Sequence, residues 1–406
     1  MKITLLHYSA PPVVGGVENI IEYHARLMTD HDHQVQVIAG RGSQFDERIP
    51  FVYLPMIDSR HEDILAIKQD LDRGVVSEAF HKRVATIEMQ LIAHIADEDV
   101  LVAHNVCSLN KNLPLTAALF NISRKVEKPR MILWHHDLAW TTPRYQKELH
   151  EGYPWNLLKT EWNAVTQVTI SEARRSELAG LMKLDERQIT VIPNGVDVER
   201  VYKLEKKTRE FIEKLDLLQA SPLLLLPVRI TPRKNIELGL RVLACLRKDY
   251  PFATLVVTGP LGPHNPSNVQ YFERLRALRS ELGLSDSAHF LAELADGYII
   301  PDPVISDFYR MADALFLPST EEGFGIPILE AGISGIPVFC SDIPPLRELA
   351  GEFASYFSVD ENPQTIAAMI CKYCSNNKIF QFRAKVQAQY AWWNIYEAKI
   401  EPLLKG

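Results

Sequence analysis

Two glutamates and two glycines in the last third of the chain, Glu322-Gly323-Phe324-Gly325 and, eight residues after the first of them, Glu330, have a spacing that can do chemistry. They follow an apolar run, Ala314-Leu315-Phe316-Leu317, which reads as a buried parallel strand. A helix is expected next, with Pro327 in its first turn, where a missing N–H costs nothing, and with Gly335 closing it in a left-handed conformation. Strand, glycine loop and helix N-terminus make a place for phosphate. Gly323 and Gly325 let the backbone approach closely, and free N–H groups at the helix start point at the anion. Glu322 and Glu330 would repel that anion. On either side of it they suit neutral hydroxyls, as on the sugars flanking a diphosphate. Taken alone, the same residues also read as a capping carboxylate and a turn.

A second group supplies the opposite charge. In Val228-Arg229-Ile230-Thr231-Pro232-Arg233-Lys234-Asn235, Arg229 stands at a strand end and Lys234 at a helix start, where the helix dipole disfavours a cation. A cation kept there implies an anion to meet it. Arg229 as a planar fork and Lys234 as a point charge can hold a diphosphate without a metal. No Asp-x-Asp stands at a strand end to hold Mg²⁺, so neither a metal nor another cofactor is expected. In the N-terminal half, Gly15-Gly16 belong to a second strand, loop and helix unit, and Gly16 can bring its N–H to a diphosphate. His104 and His135-His136-Asp137 end two further buried strands. Trp140, Arg144 and Tyr145 follow in a loop and suit a sugar or small polar acceptor, or equally a packing cluster. Gly259 and Leu291 stand at two later strand ends and join the nucleotide-binding candidates.

These residues need a scaffold that gathers strand ends, and the hydrophobic pattern supplies one. Strands are expected at 3–8, 34–39, 51–54, 100–103, 131–134, 167–170 and 189–192. Helices are expected at 17–28, 75–95, 112–124 and 172–182, the last capped by Ser171. A turn-rich break, Pro193-Asn194-Gly195-Val196-Asp197, precedes a charged helix over 199–215 and a second α/β series. That series has strands at 223–228, 255–258, 289–291, 314–317 and 338–340, and helices at 235–248, 269–282, 303–311 and 365–373. A final helix over 390–404 carries Trp392-Trp393. Serial alternation of this kind makes parallel sheets with helices on both faces, and ligands sit beyond the carboxyl ends of their strands. Every polar group named above falls at such an end.

Composition narrows the partners. The chain has 406 residues, enough for two domains, and a net charge of −7, which argues against nucleic acid and against a generally basic membrane-binding surface. No apolar run of about 18 residues is present to span a membrane. Five scattered cysteines and the lack of a signal-peptide pattern suit the cytoplasm. Cys371 and Cys374 have redox or zinc spacing but no second pair, and fall in a helix, so a structural role is expected.

Together these residues resemble the retaining nucleotide-sugar glycosyltransferases of family 4, which have the GT-B fold. The likeness is densest over 192–349. There Ile192-Pro193-Asn194-Gly195-Val196-Asp197, Arg229 to Lys234, and Glu322-Gly323-Phe324-Gly325-Ile326-Pro327 to Glu330 match in order and spacing. Gly15-Gly16-Val17-Glu18 and the His-Asp strand end extend it into the first half. The resemblance implies two Rossmann-like, doubly wound domains facing across a cleft: an acceptor domain over 1–192 with a final helix over 390–406 crossing back, and a donor domain over 193–389. It implies that Glu322 contacts the donor sugar, Glu330 the ribose hydroxyls, and Arg229 and Lys234 the diphosphate. N–H groups near Gly16, Phe324 and Gly325 would complete the cradle, and His135, in preference to His136, would lie near the sugar. The implied reaction moves a hexose from a nucleoside diphosphate sugar to a sugar, polyol or glycan hydroxyl with retention. Two alternatives remain at this point: a lipid-linked acceptor in surface polysaccharide synthesis, or a nucleotide-sugar binding or epimerising protein of the same fold.

Overall fold

Short strands that are apolar on both faces dictate sheets covered on both sides, and the computed structural model contains two of them. It describes residues 1–261, 266–294 and 300–406, in two units: Met1–Gly195 with Trp392–Gly406, and Val196–Ala391. The chain thus passes between units three residues after the first boundary read from the sequence and two after the second.

The first unit runs β1 (Lys2–His7), α1 (Gly16–Asp30), β2 (Gln34–Ala39), β3 (Phe51–Tyr53), α2 (Glu62–Asp72), α3 (Glu78–Ile95), β4 (Val100–His104), α4 (Leu113–Lys125), β5 (Arg130–His135), β6 (Val165–Thr169), α5 (Glu172–Met182) and β7 (Ile189–Val191). Its strands are all parallel, in the order β3-β2-β1-β4-β5-β6-β7. The helix expected over 75–95 begins only at Glu78, after Ser77 in an extended conformation. Ahead of it lies α2, which the sequence reading left unassigned; Ile64, Ile67 and Leu71 form its buried stripe. Gly74, at φ +78°, turns the chain between the two. Ser171 caps α5 as expected, its hydroxyl accepting from the Arg174 N–H at 3.2 Å.

The second unit runs α6 (Val198–Tyr202), α7 (Lys206–Leu215), β8 (Leu223–Leu226), α8 (Ile236–Leu246), β9 (Thr254–Val257), α9 (Pro266–Glu281), β10 (Ala288–Phe290), α10 (Asp302–Met311), β11 (Ala314–Leu317), α11 (Ile326–Ser334), β12 (Val338–Ser341), α12 (Pro344–Ala350), β13 (Ala354–Phe357), α13 (Pro363–Asn376) and α14 (Lys378–Tyr390). Its parallel sheet has the order β10-β9-β8-β11-β12-β13. The single charged helix expected over 199–215 is two helices, because Lys203 takes a left-handed conformation that ends the first. The five cysteines are all free, and Cys374 is buried in the core face of α13.

The last helix starts at Trp392, not at 390, since Ala391 is extended. It continues through a π-helical turn (Tyr396–Ile400) to Lys405. Ile395, Tyr396, Ile400 and Leu404 join the core around Ile3 and Leu5 of β1, so the C-terminus folds with the first unit. Among the described residues no helix is long and apolar enough to cross a membrane.

Both sheets reverse winding direction once: between β1 and β4 in the first unit and between β8 and β11 in the second. At such a switch point the loops leave on opposite faces and open a crevice at the strand carboxyl ends.

Candidate functional site

In the second unit the loops after β8 and β11 meet at the switch point. Pro232–Lys234 forms a short 3-10 turn, with Thr231 extended before it and Asn235 left-handed (φ 50°) after it. The Thr320 N–H and hydroxyl both donate to the Arg233 carbonyl, at 2.8 and 3.2 Å, and tie this turn to the glycine loop. Lys234 Nζ then reaches Glu322 Oε1 at 2.5 Å, and the hydroxyl of buried Ser319 donates to the same oxygen at 2.7 Å. The Lys234 and Glu322 side chains are 9% and 8% exposed. Removing one partner of so enclosed a pair leaves the other uncompensated, at a cost of about 3–5 kcal/mol. Arg233 Nη1 lies 3.7 Å from the second Glu322 oxygen and donates to the Glu321 carbonyl at 3.2 Å. Arg229 is exposed in the loop after β8 and makes no hydrogen bond or ion pair among the described residues.

The glycine loop divides its labour. Gly325 has φ +111° and a Cβ there would meet Leu346 Cδ2 at 2.7 Å, so only glycine serves. At Gly323 a Cβ would meet nothing within 4 Å, so the room beside the loop is open. Gly325 gives α11 no side-chain cap, which leaves the helix start with unsatisfied donors, and Phe324 stands half-exposed beside it. Glu330 lies exposed on the second turn of α11, where Tyr309 Oη donates to its Oε2 at 2.6 Å. Two of the nucleotide candidates, Gly259 and Leu291, have local structural work. A Cβ on Gly259 would fall 1.9 Å from the Val228 carbonyl oxygen, so its glycine allows two chains to pass. Leu291 is not in β10: it opens the 3-10 turn Leu291–Glu293, with its side chain fully buried.

In the first unit the corresponding switch point is lined by histidines. The His7 ring, at the end of β1, bonds the His104 carbonyl at 2.7 Å, and His104 Nδ1 lies 3.4 Å from His136 Nε2. His24 of α1 packs its ring against those of His104 and Trp134. Burial pushes His7 down to about 4, His24 and His136 down to about 3, and His104 well below the usual range, so all four are neutral at pH 7. His135 points elsewhere. It is the last residue of β5, 1% exposed, and its Nε2 is engaged by Gln167 Oε1 at 2.8 Å. His136, the first residue past β5, joins the histidine group at the strand end through His104, and His135 instead bonds Gln167.

Asn105 holds this edge in shape. Its backbone is left-handed (φ 57°), and its Oδ1 accepts from the N–H groups of His136 and Asp137 at 3.0 and 2.9 Å. Its amide nitrogen donates to Asp137 Oδ2 at 3.3 Å. Gly16 opens α1 with free space above it, while the Glu18 carboxylate folds back over Gly15 and accepts from Ser9 Oγ at 2.6 Å. Trp140 and Tyr145 pack against the core of the first unit: Trp140 Nε1 donates to the Trp155 carbonyl at 3.3 Å, Lys159 Nζ sits 3.7 Å above the Trp140 ring, and the exposed Arg144 stacks on Tyr145. The strand-end pair His104-Asn105 is legible in the sequence, whereas nothing in the spacing marks Ser319 and Tyr309 as site residues. Among the described residues no group of three His, Cys, Asp or Glu side chains has a metal-holding arrangement.

Comparison with known proteins bears on both units. Residues 207–389 match the family described as "Glycosyl transferases group 1", and residues 14–200 match "Glycosyltransferase Family 4". The chain is 26% identical over 373 residues to the mannosylglucosylglycerate synthase of Petrotoga mobilis, covering 86% of this chain and 84% of that protein. It is 34% identical over 178 residues to the D-inositol 3-phosphate glycosyltransferase of Nocardia farcinica, covering 43% and 36% of the two chains. Among solved structures, the sucrose-phosphate synthase of Thermosynechococcus elongatus aligns over 100% of this chain and 98% of its own, at 15% identity and a TM-score of 0.39.

Proposed function

We propose that this chain, which belongs to the glycosyltransferases of family 4, moves a hexose from a nucleoside diphosphate sugar to a hydroxyl of a small sugar or polyol, retaining the anomeric configuration. The observation that carries the proposal is the enclosed Lys234–Glu322 pair at the switch point of the second unit, beside an open glycine loop and an uncapped helix start. Donor binding is assigned to this unit and acceptor binding to the first.

The diphosphate takes the place beside Gly323, with Arg229 and Lys234 as its cations and the N–H groups near Phe324 and Gly325 as donors. Glu322 faces the hexose and Glu330 the ribose. As the bond from the anomeric carbon to the leaving phosphate oxygen breaks, charge builds on the diphosphate and Lys234 holds it more strongly than in the ground state. That difference is what lowers the barrier. The acceptor oxygen bonds to the anomeric carbon on the face the phosphate leaves, and its proton passes to the departing phosphate oxygen. With two cations in place of a metal ion, no divalent metal is required.

His136, at the strand end of the first unit, has a neutral ring that can donate or accept one hydrogen bond with a hydroxyl. Two relatives whose names specify a glycerate glycoside and an inositol phosphate favour a small polar acceptor. Free cysteines fit a cytoplasmic location. The test is incubation with a panel of nucleoside diphosphate hexoses and simple polyol and sugar acceptors, with and without a chelator, followed by NMR of the product's anomeric coupling. Product of retained configuration, formed equally with the chelator, is expected. An inverted product, or chelator-abolished transfer, overturns the mechanism.

A further inference from the structure

Tyr309 lies on α10, one strand and one loop before the helix that carries Glu330, and its side chain is almost fully enclosed, at 3% exposure. Its hydroxyl has one hydrogen to give. Two acceptors are near: Glu330 Oε2 at 2.6 Å and the Pro327 carbonyl at 3.5 Å. The shorter, charge-assisted contact takes it. Glu330 is itself exposed, on a helix start that lacks a side-chain cap, and among the described residues no other side chain bonds its carboxylate. The tyrosine is therefore what fixes the plane of that carboxylate.

We propose that Tyr309 is a positioning residue for ribose recognition: by occupying Glu330 Oε2 it holds Oε1 outward, ready to accept from the adjacent 2′- and 3′-hydroxyls of a nucleoside. This rests on the reading of Glu330 as the ribose-binding carboxylate. A glutamate with both oxygens free turns about its last torsion and meets the two hydroxyls in many orientations; one pinned at Oε2 meets them in few. Enclosure matters too. Water has little access to replace the tyrosine hydroxyl once it is removed, so the carboxylate is left loose rather than rehydrated at the same point. Burial and the neighbouring Glu330 carboxylate push the phenol far above its usual range, so it remains a donor at any working pH.

The consequence is specific to the sugar of the nucleotide. UDP, GDP and ADP are titrated calorimetrically against the full chain, and the diphosphate that binds is compared with its 2′,3′-dideoxy counterpart. Wild type prefers the ribose form. Tyr309→Phe, checked as folded by circular dichroism, loses about tenfold in affinity for the ribose form and keeps its affinity for the dideoxy form, so the preference collapses. Glu330→Gln, measured alongside, abolishes the preference as well. If Tyr309→Phe weakens both forms equally, the tyrosine only supports the fold and the proposal is wrong; if it weakens neither, the contact is idle and the proposal is equally wrong. If Glu330→Gln keeps the full ribose preference, the ribose reading itself fails, and the proposal falls with it. A result in which Glu330→Gln removes the preference and Tyr309→Phe does not would sink the tyrosine alone.

Discussion

At the carboxyl edge of the first unit four histidines are kept neutral by burial, while at that of the second a lysine and a glutamate form an ion pair. The two sheets have the same winding and nearly the same strand order, so topology does not set this contrast. What differs is the sequence placed at the strand ends. Eleven of the thirteen histidines lie within Met1–Gly195, whereas Arg229, Arg233 and Lys234 stand together after one strand of the second unit. A crevice lined by neutral rings and an Asn–Asp pair suits an uncharged polyhydroxyl ligand. A crevice with enclosed and free cations suits one whose charge rises during reaction. The same frame thus carries two rims of different electrostatics.

The contrast breaks most visibly at Lys234. Lys234→Ala should lower turnover by about 10²–10³-fold while raising the donor KM far less, because the lost interaction grows toward the transition state. Arg233→Ala, at a half-exposed side chain 3.7 Å from Glu322, should be milder by at least roughly tenfold. Steady-state kinetics on both variants decides it. If only KM changes, the lysine binds the ground state and the electrostatic half of the comparison fails.

Shape at the other edge is tested at Asn105. Asn105→Ala loses two hydrogen bonds to the N–H groups of His136 and Asp137 and puts alanine at φ 57°, where a Cβ without local hydrogen bonding is strained. A destabilisation of about 2–3 kcal/mol is expected, from roughly 1 kcal/mol per lost bond and up to about 1 for the backbone, since asparagine already carries a Cβ at this φ. Denaturant unfolding measures it, and a loss below about 1 kcal/mol would show that the edge does not depend on this clamp.

A further difference concerns pH. Five buried histidines of the first unit, His7, His24, His104, His135 and His136, have folded pKa values below the unfolded value of about 6.5. Their contribution is therefore fully present above about pH 6.5 and is lost as pH falls toward 4, because the unfolded state takes up protons that the folded state refuses. Each such histidine gives a slope of up to about 1.4 kcal/mol per pH unit. The second unit has a single described histidine with this behaviour, His289, lowered to about 4 by burial. Hydrogen exchange at pH 6.8 and at pH 5 should thus accelerate more in β1, β4 and β5 than in β8, β11 and β12. Equal acceleration in the two sheets would remove the distinction.

Legibility in the sequence followed the same divide. The Glu322–Glu330 stretch could be read because its strand, loop and helix are contiguous, and β11 and the left-handed Gly335 fall where the pattern put them. Ser319 was hidden by its burial beneath that same loop, and Tyr309 because its partner lies 21 residues on across a strand. In the first unit the site is assembled from β1, β4, β5 and α1, and no local spacing records that His7 bonds a carbonyl 97 residues away. Adjacent histidines in sequence gave no hint of which one faced the strand-end group, where the structure sets His136. The helices α12 and α14 and the strand β13 went unassigned. β13 is short and only its last residue is buried, so its apolar signal was weak.

The Lys234–Glu322 contact also bears on how the site empties. The carboxylate sits on the loop beside the room left open at Gly323, so the cation already has a tethered anion of its own. Such an attached group acts at an effective concentration on the order of millimolar or more. A stray phosphate or chloride therefore meets a lysine that is already taken. Under the proposed function, a spent diphosphate would meet an internal rival that recaptures the lysine as it loosens.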